Sequence, residues 1–192
     1  EMNRIEAGVQ DILESVAGRQ ETVELLVIDN CSTDGTREWL EAFSHPLVKP
    51  IFNPENLGKG GSIKKGISES LGRYVVIHDP DLEYRADDIW IMLDCMRETG
   101  ASMVLGSRIL TARPNYVYAV NYWNHWGVVF LTWVINVLYG CRLTDSATAM
   151  KLMDGELIRR MRWDSNGFNL DFELVCRIAR TGGEVLERQA HY

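Results

Sequence analysis

Two aspartates, Asp79 and Asp81, flank Pro80 just past His78, which follows the apolar run Tyr74-Val75-Val76-Ile77. Carboxylates in such a loop have water at hand. Their hard oxygens suit Mg2+ or Mn2+, cations that also hold substrate phosphates. A D-x-D triplet is also a common cap for the segment that follows, so on the triplet alone the cation and the cap are equally good readings. Asn56-Leu57-Gly58-Lys59-Gly60-Gly61-Ser62 has the look of a phosphate loop, yet Lys59 is followed by Gly60 where a Ser or Thr is required. A dinucleotide fingerprint fails too, because its third glycine falls on Ile63 and no acidic residue follows at the required distance. What remains is a flexible turn carrying one cation.

Composition narrows the chemistry further. The formal net charge of -7 argues against a nucleic-acid partner, which rewards a basic face. Any bound phosphate must meet local positive charge or a bridging cation. Cys31, Cys95, Cys141 and Cys176 form no C-x-x-C pair, so neither a zinc site nor redox chemistry is indicated, and buried thiols in a reducing compartment are expected. No charged-then-apolar leader opens the sequence, and the expected address is the cytoplasm. With 192 residues, 46% hydrophobic and 24% charged, the chain is expected to form one globular domain over residues 1–192.

The elements that must position these residues alternate along the first half. Ile5, Val9, Ile12, Leu13 and Val16 recur at helical spacing before Gly18. Val23 to Ile28 reads as a strand ending at Asp29, followed by a turn at 31–36 and a helix containing Trp39, Leu40 and Phe43. An extended piece at Val48 to Asn53 leads through the glycine-rich turn to a helix over Ser62 to Ser70. The strand Tyr74 to Ile77, a helix from Asp87 to Glu98 and a strand Met103 to Leu105 complete the series. Such alternation implies a mostly parallel sheet with helices on both faces, and ligands then sit at the carboxyl ends of the strands. Asp29, Asp79, Asp81, Ser107 and Arg108 fall at those ends and should converge on one crevice.

The second half reads differently. Residues 118–139 are crowded with Trp, Val, Leu, Ile and Phe but interrupted by Asn121, Asn124, His125 and Asn136. A bilayer crossing needs roughly 20 predominantly apolar residues. An interfacial helix with Trp and Tyr at headgroup level and a core helix with a partner-binding face are the two open readings.

Several blocks taken together resemble glycosyltransferase family 2. They are Asp29-Asn30-Cys31-Ser32-Thr33-Asp34-Gly35-Thr36, Asn56-Leu57-Gly58-Lys59-Gly60, His78-Asp79-Pro80-Asp81-Leu82-Glu83-Tyr84 and Gly106-Ser107-Arg108, in order. The later blocks, Asp145 to Lys151, Gly167-Phe168-Asn169-Leu170-Asp171-Phe172-Glu173 and Glu187 to Tyr192, resemble its dolichol-phosphate mannosyltransferase and polyprenyl-phosphate glycosyltransferase branch. The resemblance implies a GT-A fold, Rossmann-like, with residues 1–110 binding the nucleotide sugar and 111–192 the acceptor. It implies that Asp29 and Asn30 contact the nucleoside, that Lys59 helps seat the nucleotide, and that Asp79 and Asp81 hold Mg2+ or Mn2+ against the pyrophosphate. Arg108 and Lys151 would meet phosphate charge, and Asp171 and Glu173, at a helix start, would face the sugar or the acceptor. Asn30 stands where the branch often has a second Asp, and Glu83 where Gln is usual.

The resemblance also implies a strand ending in an Asn-Glu pair, with Glu1 resembling the residue just after that strand. In a doubly wound order it would lie between the Val23 and Tyr74 strands, so the sequence is expected to be part of a longer chain. The implied reaction is inverting transfer of mannose or glucose from GDP-mannose or UDP-glucose to a polyprenyl phosphate, at the cytoplasmic face of a membrane. A phosphate monoester with a second pKa of about 6 is already ionised at neutral pH and needs little general-base help. Two other readings stay open: a family 2 enzyme with a soluble saccharide or protein acceptor, and a non-catalytic nucleotide-binding module.

Overall fold

The computed structural model describes residues 2–110 and 122–191. Helix α1 (Met2–Val16) leads into β1 (Leu25–Asp29), α2 (Thr36–Ala42) and β2 (Val48–Phe52). There follow α3 (Gly58–Glu69), β3 (Tyr74–Ile77), α4 (Asp88–Thr99) and β4 (Met103–Ser107). After the undescribed stretch come α5 (Tyr122–Tyr139), β5 (Lys151–Asp154), α6 (Gly155–Arg160), α7 (Leu170–Arg180) and β6 (Val185–Gln189). The architecture is the expected α/β one. Of the 118–139 helix, only the part from Tyr122 lies within the described residues.

The strands form two hydrogen-bonded groups, β1 with β2 in parallel, and a four-stranded sheet in the order β3-β5-β4-β6. In the latter β4 and β6 run parallel, while β5 runs against both β3 and β4. No local pattern in the chain signals that reversed insertion. β4 shows why a central strand reads as continuous apolar sequence. Met103 and Leu105 join one core cluster with Leu174, Val175 and Ile178 of α7. Val104 points to the opposite cluster with Trp90, Met92, Leu93 and Met96 of α4. With period 2, both faces of the strand are covered by helices, and each such side chain contributes about 1.5–3 kcal/mol on burial. Gly106 lets β4 pass close to Met150 and Ala190, whose side-chain atoms a Cβ would meet at 3.1–3.2 Å.

Among the described residues β1 and β3 do not pair. Between them, where the resemblance puts a strand, lies an apolar cavity of about 1050 Å3 walled by Leu26 and Ile28 of β1, Val75 and Ile77 of β3, Ile12 of α1 and Ile63 of α3. α1 closes over this region by packing Val9 on Val27 and Leu40. Its Gly8 lets the backbone of Pro80 approach, to 3.2 Å from a Cβ built there. The helix thereby supports the loop that carries the two aspartates.

Candidate active site

The carboxyl ends of β1, β2 and β3 meet in one polar crevice. Asp29 closes β1 almost fully buried, 2% exposed. Its Oδ1 accepts from the Ser32 backbone N–H at 3.0 Å, and its Oδ2 accepts from Arg37 Nε at 2.8 Å. Burial alone would raise this carboxyl, but the Ser32 and Arg37 donors outweigh it and hold its pKa below the usual value. Arg37 also donates to the Asn53 carbonyl at 2.9 Å, so it ties β1 to β2. Asn30 Oδ1 accepts from Asn53 Nδ2 at 3.1 Å and from the Leu57 N–H at 2.8 Å, while its Nδ2 donates to Asn56 Oδ1 at 2.8 Å. An aspartate could not donate that last bond, which is a local reason for Asn at this position.

Lys59 and Asp79 are brought together across 20 residues. Lys59 Nζ donates to Asp79 Oδ2 at 2.6 Å, with both side chains about a quarter exposed. Asp81 Oδ1 accepts from the Glu83 N–H at 3.0 Å, and the intervening Leu82 adopts φ 64, a left-handed conformation rare for a branched residue. The second oxygen of each carboxylate is outside these bonds. No group of three or more His, Cys, Asp or Glu side chains converges among the described residues. Two carboxylates with phosphate and water completing the shell is the manner in which Mg2+ is usually held, so the residues present fit such a cation. Beside them His78 buries both ring nitrogens without a hydrogen-bond partner. Burial moves its pKa down, which keeps the imidazole neutral at pH 7.

Arg108 follows β4 and is gripped in a fork by Asp145, Nε to Oδ2 at 2.7 Å and Nη2 to Oδ1 at 2.9 Å. Asp145 is itself fully buried, and Glu187 accepts from its N–H at 2.8 Å. The guanidinium is thus fixed at the edge of the sheet with 18% of its side chain exposed.

The remaining expected residues are engaged elsewhere. Lys151, expected to meet phosphate, is wholly buried at the start of β5, where Nζ donates to the Thr148 carbonyl and to Asp171 Oδ1, the latter at 2.7 Å. In this structure its charge is matched inside the protein and does not reach the crevice. Asp171 is the other half of that pair and only 7% exposed. Glu173 accepts from the Asp164 and Ser165 N–H groups ahead of its helix at 2.9 and 2.8 Å and pairs with Arg177, one turn along the helix, at 2.6 Å. Burial pushes this carboxyl up, but those donors and Arg177 outweigh it and hold it at about 2.

Arg37, the Asp145 fork and Glu187 went unassigned in the sequence. Their partners lie 8, 37 and 42 residues away, beyond any local pattern. The helix α3 also starts at Gly58 rather than Ser62, so the expected glycine-rich turn is the first turn of a helix.

The fold is that of the GT-A class. The solved structure of a mannosyltransferase from Pyrobaculum calidifontis in complex with GDP-Man and Mn2+ has a TM-score of 0.67 over 98% of this chain and 52% of its own, at 20% identity. Glucosyl-3-phosphoglycerate synthase from Mycobacterium tuberculosis gives 0.70 over 97% and 65%, at 18% identity. The description "Glycosyl transferase family 2" matches residues 2–159, and the chain belongs to that family. Glycosyltransferase AglJ of Haloferax volcanii is 30% identical over 160 residues, 82% of this chain and 50% of the relative. An undecaprenyl-phosphate mannosyltransferase of Micrococcus luteus is 24% identical over 176 residues, 85% of this chain and 69% of the relative. The chain thus spans about half the length of AglJ.

Proposed function

We propose that this family 2 glycosyltransferase moves mannose or glucose from GDP-mannose or UDP-glucose to a polyprenyl phosphate at the cytoplasmic face of a membrane. The observation that carries the lipid acceptor is α5. This helix of 18 residues contains no Asp, Glu, Lys or Arg and exposes Trp126, Phe130, Leu131, Trp133, Val137 and Leu138, while Thr132 and Ile135 face the body. No helix among the described residues is long and apolar enough to cross a membrane. A charge-free face rich in Trp fits the headgroup boundary of a bilayer. Relatives named undecaprenyl-phosphate mannosyltransferase and dolichyl-phosphate beta-glucosyltransferase support the same acceptor.

In this reading Asp29, Asn30 and Arg37 frame the nucleoside end of the crevice. Lys59 adds positive charge where Asp79 and Asp81 would hold Mg2+ or Mn2+, a cation that neutralises charge on the departing diphosphate. An oxygen of the acceptor phosphate forms the new bond to the anomeric carbon as the bond to the diphosphate breaks, and configuration inverts. Arg108, fixed by Asp145, would meet the acceptor phosphate. The protein's contribution is positioning and charge stabilisation.

The test offers labelled GDP-mannose or UDP-glucose with Mn2+ and a short polyprenyl phosphate, and follows label into the organic phase. Donor hydrolysis without lipid labelling, together with transfer to a water-soluble saccharide, would reject the lipid acceptor. No turnover of either donor would reject these two donors.

A further inference from the structure

Lys59 stands among three glycines in the run Gly58-Lys59-Gly60-Gly61. This run is the first turn of α3, and glycine in a helix costs roughly 1 kcal/mol relative to alanine. For Gly58 and Gly60 the reason lies opposite them, whereas a Cβ on Gly61 would meet Leu57 Cβ at 2.6 Å. A Cβ on Gly58 would stand 2.7 Å from the Asn166 carbonyl oxygen, and one on Gly60 would stand 2.7 Å from Asn166 C and 2.8 Å from Gly167 O. The Gly61 N–H donates to the Asn166 carbonyl at 3.2 Å. Lys64 Nζ donates to Asn166 Oδ1 and, at 3.4 Å, to the Trp163 carbonyl. On the far side Glu173 takes the Asp164 and Ser165 N–H groups. The backbone of 163–167 is therefore clamped against α3 at close range, and glycine at 58 and 60 permits the approach.

Directly after the clamped segment stands Phe168, with 76% of its surface exposed. Its ring centroid lies 5.6 Å from Lys59 Nζ, which in turn lies 2.6 Å from Asp79. An aromatic face is thus held at the mouth of the crevice beside the groups assigned to the diphosphate. A hexose is joined to that diphosphate through a single oxygen, and one face of a pyranose is lined with polarised C–H bonds that suit the negative face of an aromatic ring. The position and the chemistry coincide.

We infer that Phe168 is the platform on which the hexose of the donor stacks, and that the glycines of α3 serve to seat it. The inference rests on the sugar-nucleotide reading above. Phe168 contacts the sugar and not the nucleotide, so its loss is felt only when the sugar is present.

Calorimetric affinities in Mn2+ test this for GDP, UDP, GDP-mannose and UDP-glucose with the wild type, Phe168→Ala and Phe168→Tyr. The expected result for Phe168→Ala is an affinity for the preferred nucleotide sugar reduced about tenfold, with the matching nucleoside diphosphate bound within about twofold of wild type. A tenfold loss corresponds to about 1.4 kcal/mol. Phe168→Tyr keeps the ring and restores the wild-type value. Equal losses for diphosphate and nucleotide sugar would overturn the assignment, because Phe168 would then act through Lys59. An unchanged nucleotide-sugar affinity in Phe168→Ala would overturn it as well. Failure of the underlying reading has its own signature: wild-type protein binds none of the four compounds, and the assignment falls with it.

Discussion

Lys151→Met separates a buried structural cation from a phosphate ligand. The Lys151 side chain is wholly buried, and its ammonium faces Asp171 at 2.7 Å. Burial pulls its pKa down from the ordinary lysine value while the Asp171 carboxylate pulls against that shift. Methionine keeps most of the volume but leaves Asp171, 7% exposed, without its partner. Removing one member of a buried pair costs about 3–5 kcal/mol, whereas replacing both with apolar groups of similar size is close to neutral. With a urea slope of roughly 2 kcal/mol per molar, the midpoint should fall by roughly 1.5–2.5 M. Adding Asp171→Leu should recover most of that loss, a non-additivity that only directly interacting residues show. The six tryptophans make fluorescence during urea unfolding a suitable readout. A wild-type midpoint for Lys151→Met, combined with weakened nucleotide-sugar binding, would refute the reasoning and return Lys151 to phosphate recognition.

Three further outcomes are expected. Asp81→Ala should lower kcat by at least about a hundredfold, consistent with the loss of several kcal/mol of charge stabilisation, while circular dichroism stays unchanged; near-normal Mn2+-dependent turnover would contradict the metal assignment. Replacing both Trp126 and Trp133 with Ser should weaken flotation with anionic vesicles while leaving affinity for soluble nucleotide as in the wild type. Glu173 is held at about 2 in the folded protein against an ordinary value of 4.5, so its stabilisation is complete above about pH 4.5 and is lost as pH falls towards 2. Glu173→Gln should therefore flatten the acid limb of the stability curve in that window, and an unchanged limb in acid titration would count against a stabilising role for its bonds to Asp164, Ser165 and Arg177.

Much of the fold was legible in the chain because the signals are local. A period of 3.6 in α1 and short apolar runs ending at Asp29, Asp79 and Ser107 are properties of neighbouring residues. Those runs place their terminal polar residues at one edge of a sheet by topology alone. Resemblance over several ordered blocks then supplied the family. The sequence did not reveal that Gly58 to Gly61 are helical, because glycine disfavours a helix until a second backbone lies against it.

Sequence by itself determined the alternating elements, the paired aspartates at the carboxyl edge and a charge-free aromatic helix. Only the tertiary structure decided which charges meet. Lys151 finds Asp171, Arg108 finds Asp145, and Lys59 finds Asp79 across 20 or more residues. Side-chain types specify what each group is able to do, but burial and partner geometry decide whether a lysine faces a ligand or the interior, and no local period encodes that choice.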